Sequence, residues 1–100
     1  MILCCGEALI DFLPRTGKDG ATLYQPFNVG SVYNTAIALG RLGNRTGLFT
    51  GLSTDFFGDM LREGLKASKV DLRYIKTWDR PSTLAFVKLE GGQARYSFFD

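Results

Sequence analysis

The start of the chain limits its fold more than any other feature. Ile2 to Leu13, ILCCGEALIDFL, is an almost unbroken apolar run. Strands buried on both faces carry such runs, and they belong to parallel sheets covered by helices. The residues that follow agree with this reading. A polar loop, Pro14 to Thr22, leads into a short strand, LYQPF, whose Pro26 cannot donate to a ladder and so places it at an edge or a strand end. Ser31 to Leu42 reads as a helix rich in small residues, and TGLFTGL as a second strand. Asp55 is placed to N-cap a further helix, in which Phe57, Met60, Leu61, Leu65 and Ser68 recur at the helical period. Asp59 in its first turn and Lys66 and Lys69 near its end suit the helix dipole. LRYIKTW is a third strand.

Strands alternating with helices imply a parallel α/β sheet with right-handed crossovers. The hairpin STLAFVKLEGGQARYSFF is surplus to that pattern. A two-residue loop at Gly91-Gly92 would set Lys88 opposite Arg95, two like charges, whereas a three-residue loop pairs Phe86 with Phe98 and is the expected register. No repeat, low-complexity tract or linker divides the chain. It stops at FFD without a closing helix, as expected for the first part of a larger α/β protein.

Composition narrows the chemistry. The formal charge of +2 comes from scattered Lys and Arg with no basic block, so nucleic acid is not an expected partner. No apolar run approaches the roughly 18 residues of a membrane span, and the first residues lack the basic stretch and cleavage site of a signal peptide. Cys4 and Cys5 are adjacent in a presumed strand and point to opposite faces, so they read as reduced thiols, which suggests the cytoplasm. The chain has no histidine, which removes Ser-His-Asp and Cys-His catalysis and histidine metal sites from it. Chemistry here must use carboxylates, hydroxyls or backbone amides.

Neither G-x-x-x-x-G-K-[ST] nor a G-x-G-x-x-G after the first strand is present, so if the protein handles a nucleotide the phosphate site is expected beyond Asp100. Asp11 stands among Leu9, Ile10, Phe12 and Leu13. A carboxylate in such a run is either a solvent-facing strand-end residue or one held at a cleft, and residue types leave the two open. In VGSVYN, Gly30 allows backbone to approach a ligand, Ser31 can cap the following helix, and Asn34 offers a donor and an acceptor suited to a polyol hydroxyl. A capping turn in which Asn34 bonds local backbone explains the same residues.

In order, GEALIDFLP, GSVYNTAIALGRLG, TGLSTDFFGDMLREGLKASKVD and RPSTLAFVKLEGGQARYSFFD resemble the ribokinase-like (PfkB) carbohydrate kinase family, with bacterial fructokinases the most similar members. The resemblance implies an α/β fold, a parallel sheet with helices on both faces, and a small β-sheet lid over the sugar. Lid strands would fall at about 12–28 and 83–99 of a single kinase domain whose ATP half is not included. It implies ATP-dependent phosphorylation of a small sugar, fructose in the first instance, with ATP and Mg²⁺ as cofactors, a monovalent cation such as K⁺, and a homodimer formed through the lid. Asp11 matches the family aspartate that binds sugar hydroxyls; Gly30, Ser31 and Asn34 match the sugar motif G-G-x-x-x-N; Phe86 and Phe98 match lid positions that close over the ligand. No catalytic residue is expected within these residues, since the G-A-G-D base lies downstream, and a protein ending at Asp100 is expected to be inactive. Val29 replaces the first motif glycine and would be strained if that position needs positive φ. Kinases of 2-keto-3-deoxygluconate, ribokinase-type sugar kinases and a non-catalytic sugar-binding or regulatory protein on the same fold are the alternatives.

Overall fold

The computed structural model describes all 100 residues. The initial apolar run is two strands rather than one. β1 (Ile2–Cys5) ends before Gly6, and β2 (Leu9–Thr16) begins in a different sheet. The expected strand buried on both faces is therefore corrected: β1 is largely exposed, and the apolar character of residues 8–12 serves a second packing surface. β2 also runs through Pro14, so the expected loop shortens to the turn closed by Gly17 N–H donating to Ala21 O (2.7 Å).

β3 (Thr22–Val29) returns antiparallel to β2 and forms the sheet edge, as Pro26 requires. Then come α1 (Ser31–Arg41), β4 (Thr46–Ser53), α2 (Phe56–Ala67), β5 (Ile75–Trp78), β6 (Leu84–Glu90) and β7 (Gln93–Phe99). The expected third strand is shorter at its start, where Asp71 makes only an isolated bridge to Gly47. The strands divide into a parallel three-stranded sheet, β1-β4-β5, and a four-stranded sheet, β3-β2-β6-β7, in which β2 and β6 are parallel and the outer pairs antiparallel.

α1 and α2 pack on the parallel sheet through one cluster, in which Tyr33 and Ala36 of α1 and Leu61 and Leu65 of α2 meet Leu48 and Leu52 of β4. Ile10 of β2 joins that core with no exposed surface, which ties the second sheet to the first. On the opposite face of the parallel sheet Leu3, Phe49 and Trp78 stay about half exposed. No helix is long and apolar enough to cross a membrane.

The β6–β7 turn differs from the expected one. Gly91 and Gly92 form a two-residue turn with φ of 56° and 79°, the geometry that matches hairpin twist and that glycine adopts without penalty. Lys88 does sit opposite Arg95, and Phe86 opposite Ser97 rather than Phe98. The like charges are tolerated because Glu90 bonds both, Lys88 at 3.1 Å and Arg95 at 2.9 Å.

Candidate functional site

The register of the second sheet decides which candidates can share a ligand. Asp11 pairs with Phe27 on one side and Ala85 on the other, and Ala85 pairs with Phe98. Paired strand residues point to the same face, as do residues two apart. One face therefore carries Asp11, Phe27, Ala85, Val87, Tyr96 and Phe98. Phe98 is 66% exposed there and stacks on Tyr96 (5.9 Å between centroids). Ala85 and Val87 are buried small apolar neighbours of Asp11 that residue types alone did not single out, because only the pairing reveals them.

Phe86 belongs to the other face. It stacks on Phe12 at 4.6 Å, meets Tyr24 and Phe99 edge-on, and through Phe12 reaches Phe57 of α2. Phe86 and Phe98, both expected to close over the ligand, thus stand on opposite faces of this sheet. A two-residue turn in place of a three-residue one shifts the pairing by one, and a shift of one places the two rings on opposite faces.

The Asp11 carboxylate is half-buried and accepts no hydrogen bond, and burial pushes its pKa up from the ordinary aspartate range. The carboxylate therefore has unused acceptor capacity.

Gly30 stands between β3 and α1 with φ of 137°, and a Cβ there would lie 2.5 Å from Glu7 O. Only glycine fits that backbone and that approach. Gly30 itself is the N-cap, and no side chain caps α1, so the expected capping role of Ser31 is not realised; Ser31 is the first helical residue, exposed, and its carbonyl accepts from Thr35 Oγ1 (2.9 Å). The first amides of α1 are left without intrahelical acceptors. Asn34 is exposed and its side chain makes no hydrogen bond, while its backbone N–H donates to Gly30 O at 2.7 Å. The local-backbone reading of Asn34 is thus absent. Val29 lies in β3 paired with Leu9, and Lys69 is the only non-glycine residue with positive φ, so valine is unstrained.

The helix start is held by buried polar contacts. Tyr33 O–H donates to Leu61 O (3.0 Å), and Asn28 Nδ2 donates to Met60 O (3.0 Å) and to the Tyr33 oxygen (3.3 Å). Burial pushes the Tyr33 pKa up, keeping it a neutral donor. α1, β3 and α2 are joined at this point.

Asp55 caps α2 as expected, accepting Gly58 N–H at 2.9 Å. It also accepts from Ser82 N–H (2.8 Å) and Ser82 Oγ–H (2.6 Å), while its own N–H donates to Ser53 Oγ. Burial alone would raise its pKa, but the hydrogen bonds from Ser82 and Gly58 outweigh it and hold the carboxyl below the usual range. A cavity of about 420 Å³ opens at the carboxyl ends of β1 and β4, lined among others by Glu7, Ser53, Trp78, Ser82 and Asp100; Asp11, Gly30, Asn34 and Phe98 lie outside it.

A family model described as pfkB family carbohydrate kinase matches residues 1–100. The chain is 56% identical over 100 residues to a fructokinase of Rhizobium leguminosarum bv. trifolii, covering all of this chain and 31% of that protein. It is 33% identical over 88 residues to a 5-dehydro-2-deoxygluconokinase of Mesomycoplasma hyopneumoniae, covering 84% of this chain and 26% of that one. Among solved structures, fructokinase with bound ATP from Xylella fastidiosa superposes with a TM-score of 0.90 at 33% identity, over 99% of this chain and 32% of the other. The chain spans about a third of the length of the proteins it matches.

Proposed function

Because the chain belongs to the pfkB family of carbohydrate kinases, we propose that the protein carrying it transfers the terminal phosphoryl group of ATP to a hydroxyl of a small sugar, with fructose as substrate. The observation that carries this reading is Asp11, a half-buried carboxylate without a partner, in a chain 56% identical to a fructokinase. In this reading Asp11 accepts hydrogen bonds from sugar hydroxyls, and Asn34 and the open amides beside Gly30 and Ser31 bind others. The four-stranded sheet is the lid, Phe98 supplies its apolar contact, and the buried Ala85 and Val87 back the strand that carries Asp11. Phe86 holds the lid on α2 instead of touching sugar. Rigid placement of several hydroxyls orients the one to be phosphorylated and lowers the entropic part of the barrier.

ATP-dependent phosphoryl transfer uses Mg²⁺ to neutralise charge on the phosphates. No group of three or more carboxylate, thiol or imidazole side chains comes together in this chain, so its residues do not fit a metal cage and no step is assigned through the ion. None of the side chains in the proposed site serves as the catalytic base. The exposed aromatic rings of β7, at the edge of the lid sheet, support a homodimer formed through the lid.

A keto-deoxy acid substrate needs a cation near its carboxylate. Arg15, held 5.6 Å over the Phe27 ring on the Asp11 face, is the only cation that β2, β3, β6 and β7 place there. A panel on the full-length protein, with ADP release measured for fructose, ribose and 2-keto-3-deoxygluconate, tests the reading. Fructose is expected to give the highest kcat/KM. A preference for the acid that is lost in Arg15→Ala would replace fructose by the acid, and sugar binding without ADP release would make the protein a non-catalytic binder.

A further inference from the structure

The chain passes between the two sheets three times: between β1 and β2, at Gly30, and through residues 79–83 between β5 and β6. The first two passages lie against each other, since Gly30 packs on Glu7 O. The third is separate, and a single carboxylate grips it. Asp55 Oδ2 takes Ser82 N–H, and Oδ1 takes Ser82 Oγ–H together with Gly58 N–H at the head of α2. Ser82 is 9% exposed and follows Pro81, so this piece of chain is stiff and sheltered. Directly after it, Thr83 O accepts Ile10 N–H (3.1 Å), and Leu84, Ala85 and Phe86 pair with Ile10, Asp11 and Phe12. Only two residues, Thr83 and Leu84, separate the gripped Ser82 from Ala85, the direct neighbour of Asp11.

We propose that Asp55, through Ser82, is a positioning residue for the sugar site: it fixes where β6 enters the lid sheet and so sets Ala85 and Val87 against Asp11. This deepens the sugar-kinase reading and rests on it. Asp55 touches no sugar in this scheme. It acts because hydrogen bonds to an ionised acceptor are short and directional, and because a paired ladder carries a displacement at its first residue into the next pairs. A helix cap alone needs only the Gly58 bond, whereas the two Ser82 bonds connect the body to the lid.

The test uses Ser82→Ala in the full-length protein, because it removes one grip bond while leaving the cap of α2 whole. Sugar KM is expected to rise about tenfold, as for loss of most of one charge-assisted hydrogen bond, with the ATP KM within about twofold of the parent. Amide exchange in Leu84–Glu90 should quicken while that in Thr46–Ser53 does not change. Ser82→Thr, which keeps the hydroxyl, should return both readings toward the parent. Parent-like sugar KM and lid exchange in Ser82→Ala would overturn the positioning role and leave the sugar reading intact. Equal acceleration in β4 would reduce Asp55 to a general stabiliser and overturn it as well. If the full-length protein phosphorylates no sugar at all, the sugar reading falls, and the positioning role with it.

Discussion

Replacing Asp55 with alanine removes three hydrogen bonds at once, and the structure lets their cost be apportioned. Loss of an N-cap acceptor costs about 1 kcal/mol, and here the bond lost is Gly58 N–H at 2.9 Å. Ser82 O–H can rotate toward another acceptor, but the Ser82 N–H is fixed by the backbone in a residue 9% exposed. An orphaned buried donor costs about 1–3 kcal/mol. The sum is about 3 kcal/mol, discounted somewhat if water reaches the gap. Asp55→Asn should cost less, about 2 kcal/mol, because one oxygen still accepts while its amide opposes a Ser82 donor. Thermal and urea unfolding of the full-length protein would measure both. The pH dependence adds a second check. Asp55's carboxyl is held below the ordinary range, so its contribution is fully present above the unfolded aspartate pKa and is lost as pH falls through the folded one. The gap between parent and Asp55→Ala should therefore narrow in acid. A variant within about 0.5 kcal/mol of the parent at neutral pH, the usual range for a surface change, would refute the reasoning.

Three further outcomes are expected. Phe86→Ala should destabilise by about 2 kcal/mol, less than a fully buried Phe→Ala, because it removes a half-buried ring that stacks on Phe12. Phe98→Ala should leave melting almost unchanged but raise the sugar KM, and the reverse pattern would place the rings on the wrong faces. Asp11→Asn should melt at a higher temperature at neutral pH. Asp11's folded pKa is raised, so its ionised form costs stability as pH rises through that value, and the variant's advantage should vanish in acid.

Much of this was legible in the residues because it depends on local chemistry. A carboxylate between Ile10 and Phe12 stands out as a candidate though its exposure stays open, and Asp55 ahead of an amphipathic segment signals a cap. What stayed hidden was set by distance or by register. Nothing in ILCCGEALIDFL says that the residues after Gly6 join another sheet, because both halves are equally apolar. The faces of Phe86 and Phe98 hinge on one residue of loop length, and repulsion between Lys88 and Arg95 does not forbid the shorter loop because Glu90 pairs with both cations. Ser82 is 27 residues from Asp55, beyond any pattern of spacing. Asn34's open side chain, by contrast, is an absence that only coordinates reveal.

The sugar role of Asp11 is the claim on which the functional reading turns, and steady-state kinetics of Asp11→Ala in the full-length protein tests it most directly. The fructose KM should rise by about tenfold or more, the loss expected for hydrogen bonds to a charged acceptor, while the ATP KM stays as in the parent. An unchanged fructose KM in a folded variant would contradict it.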